Sequence, residues 1–157
     1  MRRDALIAVA ALATVAAPTA IARAEAESPP SFSQAPALSP ARFSAKPVRG
    51  RAASYLVFAI SEAAHLEMRV YAAAAGRRAG GVCRAPSAAN RARPHCRRWV
   101  LRGTLSTPAL AGANRIPFTP RVSGRALKPG AYRLRIVATD GAGAHSAPAS
   151  AGFTITP

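Results

Sequence analysis

The sequence predicts an all-β protein, a small sandwich of about seven antiparallel strands. Apolar residues after position 38 recur with a period of two rather than 3.6, the signature of half-buried strands. Turn-forming residues interrupt these runs at roughly 8–15-residue spacing, as expected of short strands shared between two packed sheets. Helical periodicity is nearly absent. The one short stretch with helical composition, Ala72 to Ala75, ends at Gly76 and reads as the edge of a strand or a loop.

At 157 residues the chain has room for one domain. Residues 1–26 read as a signal peptide. Arg2 and Arg3 form a positive start, Ala5 to Ile21 carries no charge, and small residues at Ala22, Ala24 and Ala26 suit cleavage after Ala24 or Ala26. The run contains Pro18 and is rich in alanine, so it is a poor permanent span, and charges or prolines interrupt every later apolar run before it is long enough to cross a membrane. The mature protein is therefore expected to lack a transmembrane segment and to be secreted or associated with the cell envelope. Residues 27–37, with Ser28-Pro29-Pro30-Ser31, read as a Pro/Ser-rich linker, and the domain as 38–157.

Within the domain, Tyr55 to Ile60 is a β-rich run ended by Ser61-Glu62, and Leu66, Met68 and Val70 then alternate with polar neighbours. Trp99 to Leu105 alternates again, and Ile116 with Phe118 marks a further strand. Lys128-Pro129-Gly130 is a turn, because proline fixes one φ and glycine permits the next conformation. Tyr132, Leu134 and Ile136 then face one side and Arg133, Arg135 and Val137 the other, until Thr139-Asp140-Gly141 turns the chain. Ser150 to Ile155 closes the domain with Phe153 and Ile155 on one face.

The run Pro129-Gly130-Ala131-Tyr132-Arg133-Leu134, followed by Val137-Ala138-Thr139-Asp140-Gly141, resembles the penultimate strand and turn of bacterial immunoglobulin-like and fibronectin type III-like exported repeats. With Ile60-Ser61-Glu62-Ala63-Ala64 and Val70, the resemblance covers roughly Leu38 to Thr156. It implies an immunoglobulin-like sandwich. It also implies a structural place for Tyr132, whose hydroxyl would bond a nearby backbone group.

Cys83 and Cys96 are the only cysteines, and in an oxidising compartment such a pair reads as a disulfide. A metal site using them with His95 and His65 lacks the usual ligand spacing, so no metal is assigned. Around the pair lie Arg77, Arg78, Arg84, Arg91, Arg93, Arg97, Arg98 and Arg102, a candidate contact surface for polyanions because guanidinium forks bind phosphate, sulfate and carboxylate. The net charge of +16 agrees in sign. Its weight is reduced by composition, because alanine, arginine, glycine and proline, all encoded by GC-rich codons, make up 85 of the 157 residues.

Catalytic groups are sparse. After residue 26 the acids are Glu27, Glu62, Glu67 and Asp140, with no pairing that suggests acid–base work. His145-Ser146 beside Asp140 has triad composition but no nucleophile elbow. No phosphate-binding glycine loop or acid cluster for calcium is present, and no cofactor is expected. Specific nucleic-acid recognition is not expected, since the arginine segment has no reading motif and no interleaved aromatics. Trp99 and Tyr55, single aromatics on alternating strands, are assigned to the core.

The sequence thus leads to a non-enzymatic, monomeric, exported structural or adhesive module of the cell envelope. Its candidate partners are cell-wall or other anionic polymers, or another envelope protein. The alternative is a protein that binds polyanions or anionic membranes through the arginine-rich disulfide loop 77–102.

Overall fold

Alternation of buried and exposed side chains along most strands builds two main sheets around one core. The computed structural model describes residues 28–46 and 51–157, so the expected signal peptide and its cleavage site lie outside the described residues. The strands are β1 (Phe32–Ser39), β2 (Arg42–Ser44), β3 (Ser54–Ile60), β4 (Ala64–Ala79), β5 (Val82–Arg84), β6 (His95–Ala109), β7 (Gly112–Phe118), β8 (Arg121–Val122), β9 (Arg125–Ala126), β10 (Gly130–Thr139) and β11 (Ala149–Thr156). Seven of these, β1, β3, β4, β6, β7, β10 and β11, are at least seven residues long. The other four are two- or three-residue additions.

One sheet has the order β1-β3-β7. The larger has the order β2-β11-β10-β4-β5, with β6 on the other side of β4, and β8 pairs only with β9. The pairing is antiparallel except where β2 runs parallel to β11. Both sheets turn their apolar faces inward. Leu56, Phe58 and Ile60 of β3 meet Leu66, Met68 and Val70 of β4, Leu134 and Ile136 of β10, and Phe153 and Ile155 of β11 in one buried cluster. Each such side chain contributes about 1.5–3 kcal/mol through burial. At one end Phe43, Phe118, Phe153 and Tyr132 form an aromatic group, with Phe153 stacked on Phe43 and on Tyr132 at centroid distances of 5.6 and 5.2 Å.

The first strand starts inside the expected linker. Residues Phe32 to Ala37, read as spacer, pair with β3 and form most of β1. Only Phe32, Pro36 and Leu38 turn appreciably inward, so the segment is too polar to read as a strand, yet Phe32 sits edge-on to Phe58 at 5.8 Å. The pairing is irregular between Phe32 and Ala37, and Pro36 lacks an N–H to donate; an edge position is where a sheet accommodates such a strand. The Ala72–Ala75 stretch lies within β4, a single strand of 16 residues.

β6 carries a bulge that the alternation from Trp99 to Leu105 conceals. Tyr71 pairs with Leu101 and Val70 with Gly103, which leaves Arg102 as the extra residue. Beyond it Gly103, Leu105 and Thr107 face the core side of β4; before it the even-numbered Val100, Arg98 and Cys96 do. Gly103 has φ +153°, and a Cβ there would meet Val122 Cγ1 at 2.5 Å, so glycine lets the β8–β9 hairpin lie against the bulge.

Candidate anion-binding surface

The pairing of β10 with β4 stops at Tyr132 opposite Ala72. β4 runs on for seven more residues, about 23 Å at 3.3 Å per residue, flanked by β6 and, at Arg77 to Ala79, by β5. The expected loop 77–102 is therefore mostly strand, an arm built on the far half of β4. A 3-10 turn at Ala88–Asn90 joins β5 to β6. Asn90 holds it, accepting from the Ser87 N–H at 2.8 Å and donating to the Ala85 carbonyl at 2.9 Å.

Cys83 and Cys96 form the expected disulfide, with their Cα atoms 5.9 Å apart. Cys83 lies on β5 and Cys96 on β6, on opposite sides of β4, so the sheet curls to bring them together over Gly76. A Cβ at Gly76 would collide with the Cys83 sulfur and stand 2.9 Å from the Arg84 carbonyl oxygen. Glycine is required here by space.

Strand alternation divides the eight arginines. Arg77 pairs with Arg84, and Arg97 with Ala75, on the outer face of the large sheet. Arg78 and Arg98 lie on the opposite, disulfide-bearing face, Arg91 and Arg93 belong to the connection before β6, and Arg102 sits in the bulge. Arg77 donates to the Arg93 carbonyl at 2.9 Å, and Arg98 to the Ala75 carbonyl at 3.2 Å, so these two also tie the arm together.

The outer face recruits three further arginines that the cluster in sequence does not contain. Arg135 lies directly opposite Arg69, and Arg133 opposite Tyr71. Arg69, Arg77, Arg84, Arg97, Arg133 and Arg135 thus share one face, with Trp99 and Tyr71 among them. Trp99 is half-buried on this face, not in the core as expected, and the Arg133 guanidinium carbon stands 4.7 Å from the centre of its ring system. The physical reason is register: Trp99 pairs with Ala73, an outward position of β4. Tyr55 is likewise outward on the small sheet, under the guanidinium of Arg115 at 3.4 Å. The signal for Arg69, Arg133 and Arg135 was present as the polar half of two alternating runs; their convergence needed the β4–β10 register, which one sequence does not state.

Counter-charge is scarce. Eighteen of the 22 basic residues, but three of the six acids, lie in the described segments. Among the described residues one ion pair forms, Arg69 Nε with Glu67 Oε1 at 2.8 Å, and the hydrogen bond to Glu67, with its charge, raises the Arg69 pKa above its ordinary value. Such exposed pairs contribute little to stability. The Arg133 Nε is buried with no hydrogen-bond partner, so stacking on Trp99 holds this guanidinium in place while its charge stays uncompensated.

An open groove of about 430 Å³ at the other end of the face is lined by Glu67, Arg69, Arg135, Thr139 and His145. The triad-like residues beside it are occupied in the backbone. The Asp140 carboxylate accepts from the Ala142 and Ala144 N–H groups at 2.9 and 2.8 Å, and the Ser146 hydroxyl oxygen accepts from the Ala138 N–H at 2.9 Å. His145 Nδ1 bonds the Thr139 hydroxyl at 2.9 Å. They shape the β10–β11 turn. Tyr132 donates its hydroxyl to the Lys128 carbonyl at 2.7 Å, the backbone bond expected of it.

No family model and no curated protein matches this chain.

Proposed function

We propose that the chain is an exported, non-enzymatic binding module of the cell envelope, an immunoglobulin-like sandwich that adheres to polyanionic partners. Support for the immunoglobulin-like reading comes from the tyrosine that closes the turn before β10, the β1-β3-β7 sheet facing a larger one, and the strand exchange at β2. The binding reading rests on one observation: six guanidiniums stand on a single sheet face with one carboxylate between them. A pair such as Arg69 and Arg135, like charges directly opposite on neighbouring strands, disfavours folding. Such an arrangement is expected where an external anion supplies the missing charge.

The test is retention of the purified chain on dextran sulfate and on isolated cell envelope across a salt series. Retention on both that falls steeply and linearly with the logarithm of salt supports the proposal, and the slope reads the number of neutralised charges. Absence of retention at low salt overturns it and turns the search to protein partners.

A further inference from the structure

We propose that the anionic partner is a lipid surface, and that the outer face of the large sheet is the side of the molecule that lies on it. The inference rests on the polyanion-binding reading and deepens it. What carries it beyond charge is the apolar content of the same face. Leu101 is 50% exposed and Val82 57%, and both stand on this face, Leu101 opposite Tyr71 and Val82 opposite Ala79. Two of the three large apolar side chains exposed among the described residues are therefore set among the arginines.

A soluble acidic polymer gives no reason to expose leucine and valine there. A bilayer interface does, because it takes apolar side chains and aromatic rings at the headgroup level while phosphates meet guanidiniums beside them. The centre of the face has this composition in a small area. Tyr71 is flanked by Leu101 on one side and Arg133 on the other, and Trp99 stacks with that same arginine. Neighbouring strands lie about 4.8 Å apart and same-face neighbours about 6.7 Å apart along a strand, so several headgroup phosphates fall within reach at once. The Arg133 guanidinium carbon stands 4.7 Å from the Trp99 ring centre, so a cation and an aromatic ring are offered together at this point of the face. Ala73 and Ala75 add no bulk between these groups.

Trp99 is the only tryptophan of the chain, so its fluorescence reads this face alone. The experiment titrates the full, disulfide-bonded chain with vesicles of phosphatidylglycerol and phosphatidylcholine, with pure phosphatidylcholine vesicles and with dextran sulfate. The expected result is a saturable blue shift of Trp99 emission on the anionic vesicles alone. Combined Arg97→Glu, Arg133→Glu and Arg135→Glu should weaken vesicle binding by more than about a hundred-fold, whereas equal charge reversal at Arg51, Arg115 and Arg121, exposed before β3, on β7 and on β8, should weaken it much less. Leu101→Ser, a change at an exposed position, should weaken vesicle binding several-fold and leave dextran sulfate binding unchanged. Binding to dextran sulfate without a vesicle-induced blue shift overturns the lipid inference and leaves the polyanion reading standing. Equal loss from the two triple reversals overturns the assignment of the face, and loss of all binding to either probe by the unaltered chain removes both.

Discussion

Gly76 passes directly beneath the sulfur of Cys83, and no side chain fits between them. The disulfide does not simply close a hairpin; it clasps two strands across the backbone of a third. Gly76→Ala should therefore destabilise the protein by about 1–3 kcal/mol, the range of an overpacked site. Denaturant unfolding measures the loss, and thiol titration of the native protein should show a fraction of unpaired cysteine absent from the parent.

Replacing Cys83 and Cys96 together by serine should cost about 3 kcal/mol, the chain-entropy value for a loop of this length. The loss should be uneven. Amide exchange is expected to accelerate in β5 and in the halves of β4 and β6 that form the arm, while β10, paired on both sides within the core, keeps its protection. Uniform acceleration would show that the arm and the sandwich open as one unit.

Phe153 and Tyr55 offer a contrast of two aromatics on different sides of their sheets. Phe153 is packed against Phe43, Phe118 and Tyr132, and Phe153→Ala should cost about 3–5 kcal/mol. Tyr55 lies on the outer surface under Arg115, and Tyr55→Ala should cost under about 1 kcal/mol. Equilibrium unfolding of the two variants checks both values.

Burial pushes the Tyr132 phenol above its ordinary value of 10.0, against the positive charge of Arg102 and the bond to Lys128, which pull it down. The folded state thus favours the protonated phenol. Its contribution is complete below the unfolded value and is lost as pH rises through the folded one, so stability should decline from about pH 10 upward. Tyr132→Phe should remove about 1 kcal/mol at neutral pH and flatten that part of the alkaline decline. Thermal melts of both proteins from neutral to strongly alkaline pH measure the difference.

Period-two alternation made β3, the first half of β4, β10 and β11 legible, because each buries one face and exposes the other. β1 was obscured by its prolines and serines; its pairing along an edge needs few apolar contacts. The full length of β4 was hidden by Ala72 to Ala75, where small side chains blur the difference between a helix, a loop and a strand. Both cysteines and the eight clustered arginines could be read directly. Their division between two faces could not, since the bulge at Arg102 shifts the alternation by one residue and Trp99 turns outward with it. The candidate surface is a product of register: Arg133 and Arg135 are more than thirty residues from Arg97 along the chain and meet it only across β4.

Among the described residues β6 has a strand partner on one side only, β4, and it is 15 residues long. The parts of this edge that the β8–β9 hairpin and the disulfide do not cover are a template on which a second chain can add its own strand, the first step toward aggregation. Arg97, Arg98 and Arg102 place charge along it, the bulge breaks its regular spacing, and Pro108 removes a donor near its end. These arginines therefore have a second consequence that is independent of any ligand: they keep one copy of the molecule from zipping onto another. Neutral replacements along β6 would weaken that protection together with anion binding, and a protein that then precipitates would mimic one that has lost its partner. Reversal to glutamate keeps the edge charged and leaves the two effects separable.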